Sequence, residues 1–289
     1  MILLDYNQIA ISNIMMNQNM VLTKEFEDDG LHIIRHMILN SIHSYLMKFG
    51  NKFGKLVICC DGRHYWRKKI FSYYKQNRKK NRDDSPINWT LLFENLNTIR
   101  EELKEYFPYR VICLDEIEAD DIIAVSVKYF YTKEPVLIIS SDKDFCQLQR
   151  YDNVYQFSPV QKKYIVESNP VKFLREHIIR GDSGDGIPNI LSPDDCFVSS
   201  KRQTRLTTMR VDSWVNSDIE LEELFKDNLT ALSNVNRNKL LIDFEMIPAE
   251  IQNKILNVYS EPFAEDRSKL FNYFINNRLK ELHKCITEF

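Results

Sequence analysis

The 289-residue sequence predicts an α/β fold: a mostly parallel central sheet with helices on both faces. Three observations carry that prediction. Short apolar runs of strand length recur at Met1–Leu4, Leu56–Cys60, Val111–Leu114 and Val136–Ile139. The segments between them have helical character and are long enough to cross over, which makes neighbouring strands parallel with right-handed connections. Each run is followed closely by acid: Asp5, Asp61, the Glu118–Asp121 group, and Asp142 with Asp144. Parallel strands would bring these acids to one edge, beyond the carboxyl ends of the strands, where open α/β sheets build their sites.

Met1–Leu4 is short and reads as a first strand entering the core at once. Asn7–Met20 predicts a helix or a helix with a loop, and Asp28–Gly30 a break. Leu31–Phe49 places Ile34, Met37, Ile38, Ile42, Tyr45 and Leu46 near helical spacing. Gly50–Gly54 is a loop, and LVICC, Leu56–Cys60, is a continuous apolar run that predicts a central strand covered on both faces. Asp83–Trp89 reads as a turn before an amphipathic helix, Leu91–Tyr106. A strand–helix–strand unit follows, with its helix at about Glu118–Tyr129. Gln147–Tyr151 finishes a helix, Val154–Phe157 and Lys163–Val166 are short strands, and Pro170–Ile179 is a helix.

Residues 180–190, RGDSGDGIPNI, predict a tight turn whose backbone amides approach a phosphate. Ser192–Arg210, with Lys201, Arg202, Arg205 and Arg210 among Ser and Thr, reads as a mobile or DNA-facing loop. Asp218–Leu232, Asn238–Leu241, Ala249–Tyr259 and Leu270–Ile286 read as helices, so the last third is mostly helical.

Bulk composition narrows the class. Hydrophobic content of 44% and charged content of 28% are those of a soluble globular protein. Seven glycines leave little room for long flexible linkers. Six cysteines with no CxxC pattern, two of them adjacent in a strand, exclude a disulfide framework and a zinc site and fit a reducing compartment. The start MILLDYN has no basic leader or long apolar core, and no apolar run approaches a membrane span.

The net charge of −2 conceals an asymmetry. Carboxylates gathered at one edge repel: two about 5 Å apart cost roughly 3 kcal/mol at an effective dielectric of about 20. Hard divalent cations with oxygen ligands relieve that cost. Residues 62–82, in contrast, contain no acid. They carry Arg63, Arg67, Lys68, Lys69, Lys75, Arg78, Lys79, Lys80 and Arg82, interleaved with Tyr65, Trp66, Phe71, Tyr73 and Tyr74. Cations track phosphates and aromatic rings stack on unpaired bases, so this is a nucleic-acid-binding composition.

EADD at 118–121, SSDKDF at 140–145 and GDSGDGIP at 181–188, in this order, resemble the 5′-nuclease superfamily. That superfamily comprises flap endonucleases, the 5′-exonuclease domains of bacterial DNA polymerases and the phage 5′-exonucleases. The resemblance spans nearly the whole chain. It implies a PIN-like core, a helical arch at about 62–90, and a helix–hairpin–helix-type turn at Gly181–Ile190. It divides the chain into a catalytic domain, 1–180, and a mostly helical duplex-binding domain, 181–289.

By the same resemblance, Asp5, Asp61, Glu118, Asp120 and Asp142 would line a first cation, and Asp121, Asp144, Asp182 and Asp185 a second. Two Mg²⁺ per active site are implied, with Mn²⁺ substituting. Arg67 and Lys75 would reach the scissile phosphate. Arg63, Tyr65, Trp66, Lys68, Arg78 and Lys79, with Gly181, Gly184 and Gly186, would hold the nucleic acid. The implied activity is 5′-to-3′ exonuclease and flap endonuclease cleavage of DNA and RNA–DNA duplexes with 5′ ends or flaps, removing RNA primers in phage replication. The implied setting is a monomer in the bacterial host cytoplasm, off the membrane, beside a single-strand-binding protein or a sliding clamp. Three rivals are a PIN-type single-stranded ribonuclease, a non-catalytic nucleic-acid-binding protein of the same fold, and a phosphoryl-accepting α/β regulator, which gives the basic aromatic segment no role. One departure from the superfamily is plain: where further glycines usually continue the turn, residues 189–193 read NILSP.

Overall fold

The computed structural model describes residues 1–17, 22, 24–199 and 201–289; the side chains of 24, 25, 27, 28, 80 and 81 are outside the description. The end of the first predicted helix at 18–20, the Lys80 side chain and residue 200 therefore lie outside the described residues. The four apolar runs form strands β1 (Ile2–Asp5), β2 (Leu56–Cys60), β3 (Arg110–Cys113) and β4 (Val136–Ile139). With β5 (Val154–Ser158) and β6 (Lys163–Ile165) they make one sheet in the order β3-β2-β1-β4-β5-β6. All neighbours are parallel except β6, which runs antiparallel to β5.

Alternation along the strands divides the core. Ile2, Leu4, Ile58, Cys60, Leu137 and Ile139 face the helices Lys24–Phe53 and Trp89–Tyr106, together with Leu270, Phe274 and Phe289 from the last stretch of chain. Leu3, Val57, Cys59 and Ile138 face the helices Ala119–Phe130 and Ala249–Ser260. β1, β2 and β4 are buried at every residue, as runs without polar alternation require. A third cluster joins Phe71 and Tyr74 of the basic segment to Ile178, Ile187, Ile190, Val235 and Leu241. Residues beyond 180 thus contribute to all three clusters.

Several elements differ from their prediction. The helix Lys24–Phe53 starts earlier than expected and bends at Asp29, inside the predicted break. The residues after Asp142 form a 3₁₀ helix, Lys143–Arg150. The basic segment holds two short helices, Arg67–Ile70 and Gln76–Asp83. The predicted gap before Asn238 is absent, because Leu229–Ile242 is one helix. Its Asn234 and Asn238 amides donate to the carbonyls of Ile190 and Pro188, both at 2.9 Å, and so fix the turn to the helix. The last predicted helix breaks into Leu270–Asn276 and Lys280–His283, with Arg278 between them at φ 57°. No described helix is long and apolar enough to cross a membrane.

Candidate active site

Because β2, β1 and β4 are adjacent and parallel, their acids emerge together. Asp5 ends β1 and caps the next helix, accepting from the Gln8 amide at 3.1 Å. Its other oxygen accepts from Ser140 Oγ at 2.9 Å, and that same Oγ accepts from the Asp142 amide at 3.1 Å, so Ser140 ties Asp5 to Asp142. Asp61, beyond β2, accepts from Asn7 Nδ2 at 2.7 Å and from the Ala119 amide at 2.9 Å. Gly62 makes this approach possible: a Cβ there would lie 2.1 Å from the Leu114 carbonyl oxygen.

The acids fall into two groups according to what neutralises them. Glu118 is 1% exposed and accepts from Arg67 Nη1 at 2.7 Å and Tyr74 OH at 3.0 Å, and it pairs with Lys75. Burial opposes its ionisation, but Lys75 and Arg67 outweigh burial and lower its carboxyl to about 2. Asp182 likewise sits below the usual carboxylate range: burial pushes up, and the His177 hydrogen bond and Lys143 pull down further. Asp185 pairs with Arg78 and, at 3.5 Å, with Lys75. Burial works against Lys75, but Asp185, Tyr74 and Glu118 keep it charged.

Asp5, Asp120, Asp142 and Asp144 have no Lys or Arg partner among the described residues. Burial, then Asp61, raises the Asp5 carboxyl to about 7. Asp120 is pushed well above the usual range by burial and by Asp142, and Asp144 by burial, Asp142 and Asp182. Asp142 is raised by burial, with Asp185 and Asp182 adding to it. These four carboxyls feel one another's charge at one sheet edge and offer only oxygen, the ligand that hard divalent cations take.

The geometry corrects three expectations. Asp121 is fully buried and turned away from the set: it accepts from Trp66 Nε1 at 2.9 Å and the Glu118 amide at 3.1 Å, and it pairs with Arg67 Nη2 at 2.8 Å. Trp66 is buried by that bond and offers no face to a base. Arg67 is 3% exposed; its Nε donates to the Leu241 carbonyl at 2.9 Å while its other nitrogens hold Glu118 and Asp121, so the guanidinium is spent on partners inside the protein and is not presented to a phosphate.

The basic segment is docked on the turn rather than standing clear of it. Asn77 Nδ2 donates to the Ser183 carbonyl at 2.6 Å, Arg78 Nε to Gly184 at 3.1 Å, and the Lys75 amide to Asp185 at 2.7 Å. Within the turn, Gly181 has φ 67°, and a Cβ there would lie 2.4 Å from the Ile187 oxygen. The Gly184 and Asp185 amides both donate to Asp182 Oδ1, at 2.7 and 3.1 Å. These amides hold the turn together and are not free for a phosphate. Ser192–Arg210 is also tied back, through Asn189 to Gln203 and Thr204.

Arg63, Lys68, Arg78 and Lys79 remain exposed. Arg63, Tyr65, Lys79 and Arg82, with Trp89 and Phe93, line a cavity of about 730 Å³ that reaches Asp61. Sequence reasoning missed Ser140, whose place between two acids has no local signal. It also missed His177, whose only mark is its position at the end of the helix before the acidic turn.

The raised carboxyls set a pH dependence. An acid raised from 3.8 to about 7 binds its proton more tightly in the folded state, so stability falls as pH rises through that window. Glu118 and Asp182 act in the opposite sense, but their window lies below about pH 4.5. The melting temperature in EDTA should therefore drop by roughly 5 °C or more between pH 5 and pH 8. Excess Mn²⁺ should flatten the curve. A flat or rising profile in EDTA would show that the four acids are not under strain.

Comparison with known proteins bears on the family and the fold. Residues 3–176 match the family described as 5′-3′ exonuclease, N-terminal resolvase-like domain, and residues 170–289 match T4 RNase H, C terminal. Ribonuclease H of Enterobacteria phage T4 is 35% identical over 297 residues, covering 99% of this chain and 95% of that protein. Flap endonuclease Xni of Shewanella piezotolerans is 31% identical over 135 residues, 43% of this chain and 49% of that protein. The structure of T5 5′-exonuclease with bound zinc superimposes with a TM-score of 0.64 at 18% identity, over 90% of this chain and 98% of that one. The fold and its acidic edge define a nuclease of PIN-like architecture. The chain belongs to the 5′-3′ exonuclease family, with a C-terminal portion of the T4 RNase H type.

Proposed function

We propose that this protein cleaves phosphodiesters with divalent cations, as a 5′-to-3′ exonuclease and flap endonuclease on DNA and RNA–DNA duplexes, and removes RNA primers from lagging-strand fragments. One observation carries the reading: Asp5, Asp120, Asp142 and Asp144 gather at one sheet edge with no direct Lys or Arg ion pair among the described residues, and burial and mutual repulsion outweigh what Lys75 and Lys143 supply from a distance. Two Mg²⁺, replaceable by Mn²⁺, fit that set. Asp5, Asp120 and Asp142 would hold one, with Asp61 and Glu118 outside them, and Asp144 would hold the other, with Asp182 and Asp185 outside it. When bound, the cations supply Lewis acidity toward water and toward the leaving oxygen.

The chain's own groups do the rest. Glu118 and Asp185 keep Lys75 charged at the pocket, where it offsets charge growing on the phosphate. Arg67 acts from behind by fixing Glu118. Arg63, Lys68 and Lys79 track the backbone of the nucleic acid, and Tyr65 beside them offers a ring. The helices after the turn at 181–186, which that turn holds in place, grip the duplex.

The test is cleavage of a 5′-labelled flap and of an RNA–DNA hybrid in Mg²⁺, with product ends analysed. Wild type should release products bearing 5′-phosphates, and Asp142→Asn with Asp144→Asn should release none. Undiminished cleavage by the double variant would refute the reading.

A further inference from the structure

His177 lies in the last turn of the helix Pro170–Arg180, 6% exposed, between two of the site's carboxylates. Nε2 is 3.0 Å from Asp182 Oδ2, a hydrogen-bond distance. Nδ1 is 3.6 Å from Asp144 Oδ1, too far for a hydrogen bond, and both of those atoms are buried without a hydrogen-bond partner. An ionised carboxylate only accepts, so a neutral ring bonded to Asp182 carries its proton on Nε2. The Nδ1 lone pair then faces a carboxylate oxygen. Two acceptors confront each other in a buried space with no donor between them, which is costly unless a proton or a cation lies there.

An imidazolium bridging both aspartates would draw each to hydrogen-bond distance, and only one is there. Lys143 Nζ, 3.2 Å from Asp182, already supplies charge on that side. The pattern of carboxylate, imidazole and open lone pair is the one that orients histidine metal ligands, the carboxylate fixing the ring so that its other nitrogen is free. The three residues offer ligand atoms within 4.8 Å of one another. A cavity of about 260 Å³ lined by Lys143, Phe173, His177 and Gly181 opens beside them.

We propose that His177 Nδ1 and Asp144 Oδ1 ligate the same divalent cation, with Asp182 orienting the imidazole. This rests on the cation-dependent reading above and adds to it a nitrogen donor in a set otherwise made of oxygen. An imidazole ligand suits Zn²⁺ and the later first-row metals best, Mn²⁺ less well and Mg²⁺ least. One of the two cation positions is therefore selective for transition metals, and the other accepts hard cations generally.

The test is pulsed electron paramagnetic resonance of the full-length protein loaded with Mn²⁺. Wild type should show a ¹⁴N coupling of directly bound imidazole, which needs no variant and no activity. His177→Gln should lose that coupling. Calorimetric titration should show its Mn²⁺ affinity at one site falling about 10- to 100-fold, with Mg²⁺ affinity changing far less. Mn²⁺ bound with no ¹⁴N coupling in wild type would overturn this inference and leave the nuclease reading standing. A coupling that persists in His177→Gln would overturn it as well. Failure of any divalent cation to bind would overturn both.

Discussion

Asp120→Asn is expected to abolish cleavage while making the metal-free protein more stable. The Asp120 carboxylate makes no hydrogen bond or ion pair among the described residues; burial and the field of Asp142, Asp5 and Glu118 outweigh the opposing field of Lys75. Asparagine has nearly the same shape and no charge. Removing one member of such a set relieves roughly 3 kcal/mol for each close like-charge pair, so the melting temperature in EDTA at pH 8 should rise by about 5 °C. Cleavage should fall by more than about 100-fold, since even partners outside the ligand set are worth 10 to 100. In Mn²⁺ the order should reverse, because wild type gains more from the cation than the variant does. Thermal melts with and without Mn²⁺ decide it. A variant that melts lower than wild type in EDTA would mean that Asp120 has a favourable partner.

Arg67→Ala should act in the opposite direction and strike stability first. The guanidinium holds Glu118, Asp121 and the Leu241 carbonyl, all inside the protein. Its loss strands two buried carboxylates, and breaking such a pair costs about 3–5 kcal/mol. A fall in melting temperature of about 10 °C follows for a chain of this size. Arg67→Lys should recover only part of it, since one ammonium cannot meet three partners spread over a planar fork. If Arg67→Ala melts within a degree of wild type yet cleaves poorly, the side chain must reach substrate in some other state of the segment.

The strands were legible because buried parallel strands have no polar alternation. Leu56–Cys60 and Val136–Ile139 appear as continuous apolar runs with few other readings. The acidic edge was legible because its members follow those runs. What one sequence does not display is which acid is compensated. Asp120 and Asp121 are neighbours, but successive helical residues point about 100° apart. One meets the open set and the other meets Trp66 and Arg67. The basic segment misled for a related reason: composition marks a charged surface, yet Trp66, Arg67 and Tyr74 turn inward to cancel buried acids. His177 escaped because its significance lies in two distances to residues on separate elements.

The central place of β1 has a kinetic consequence. Ile2 pairs with Leu56 on one side and Leu137 on the other. β1 must therefore wait for a partner about 135 residues later in the chain before its second ladder can close, and separations of that kind slow folding. Until β4 arrives, an apolar strand lies with one edge open, the state in which chains associate wrongly. Few chains in synthesis at one time, rather than slow elongation, favour pairing with β4 over pairing with another molecule, because wrong association depends on concentration and closure within one chain does not.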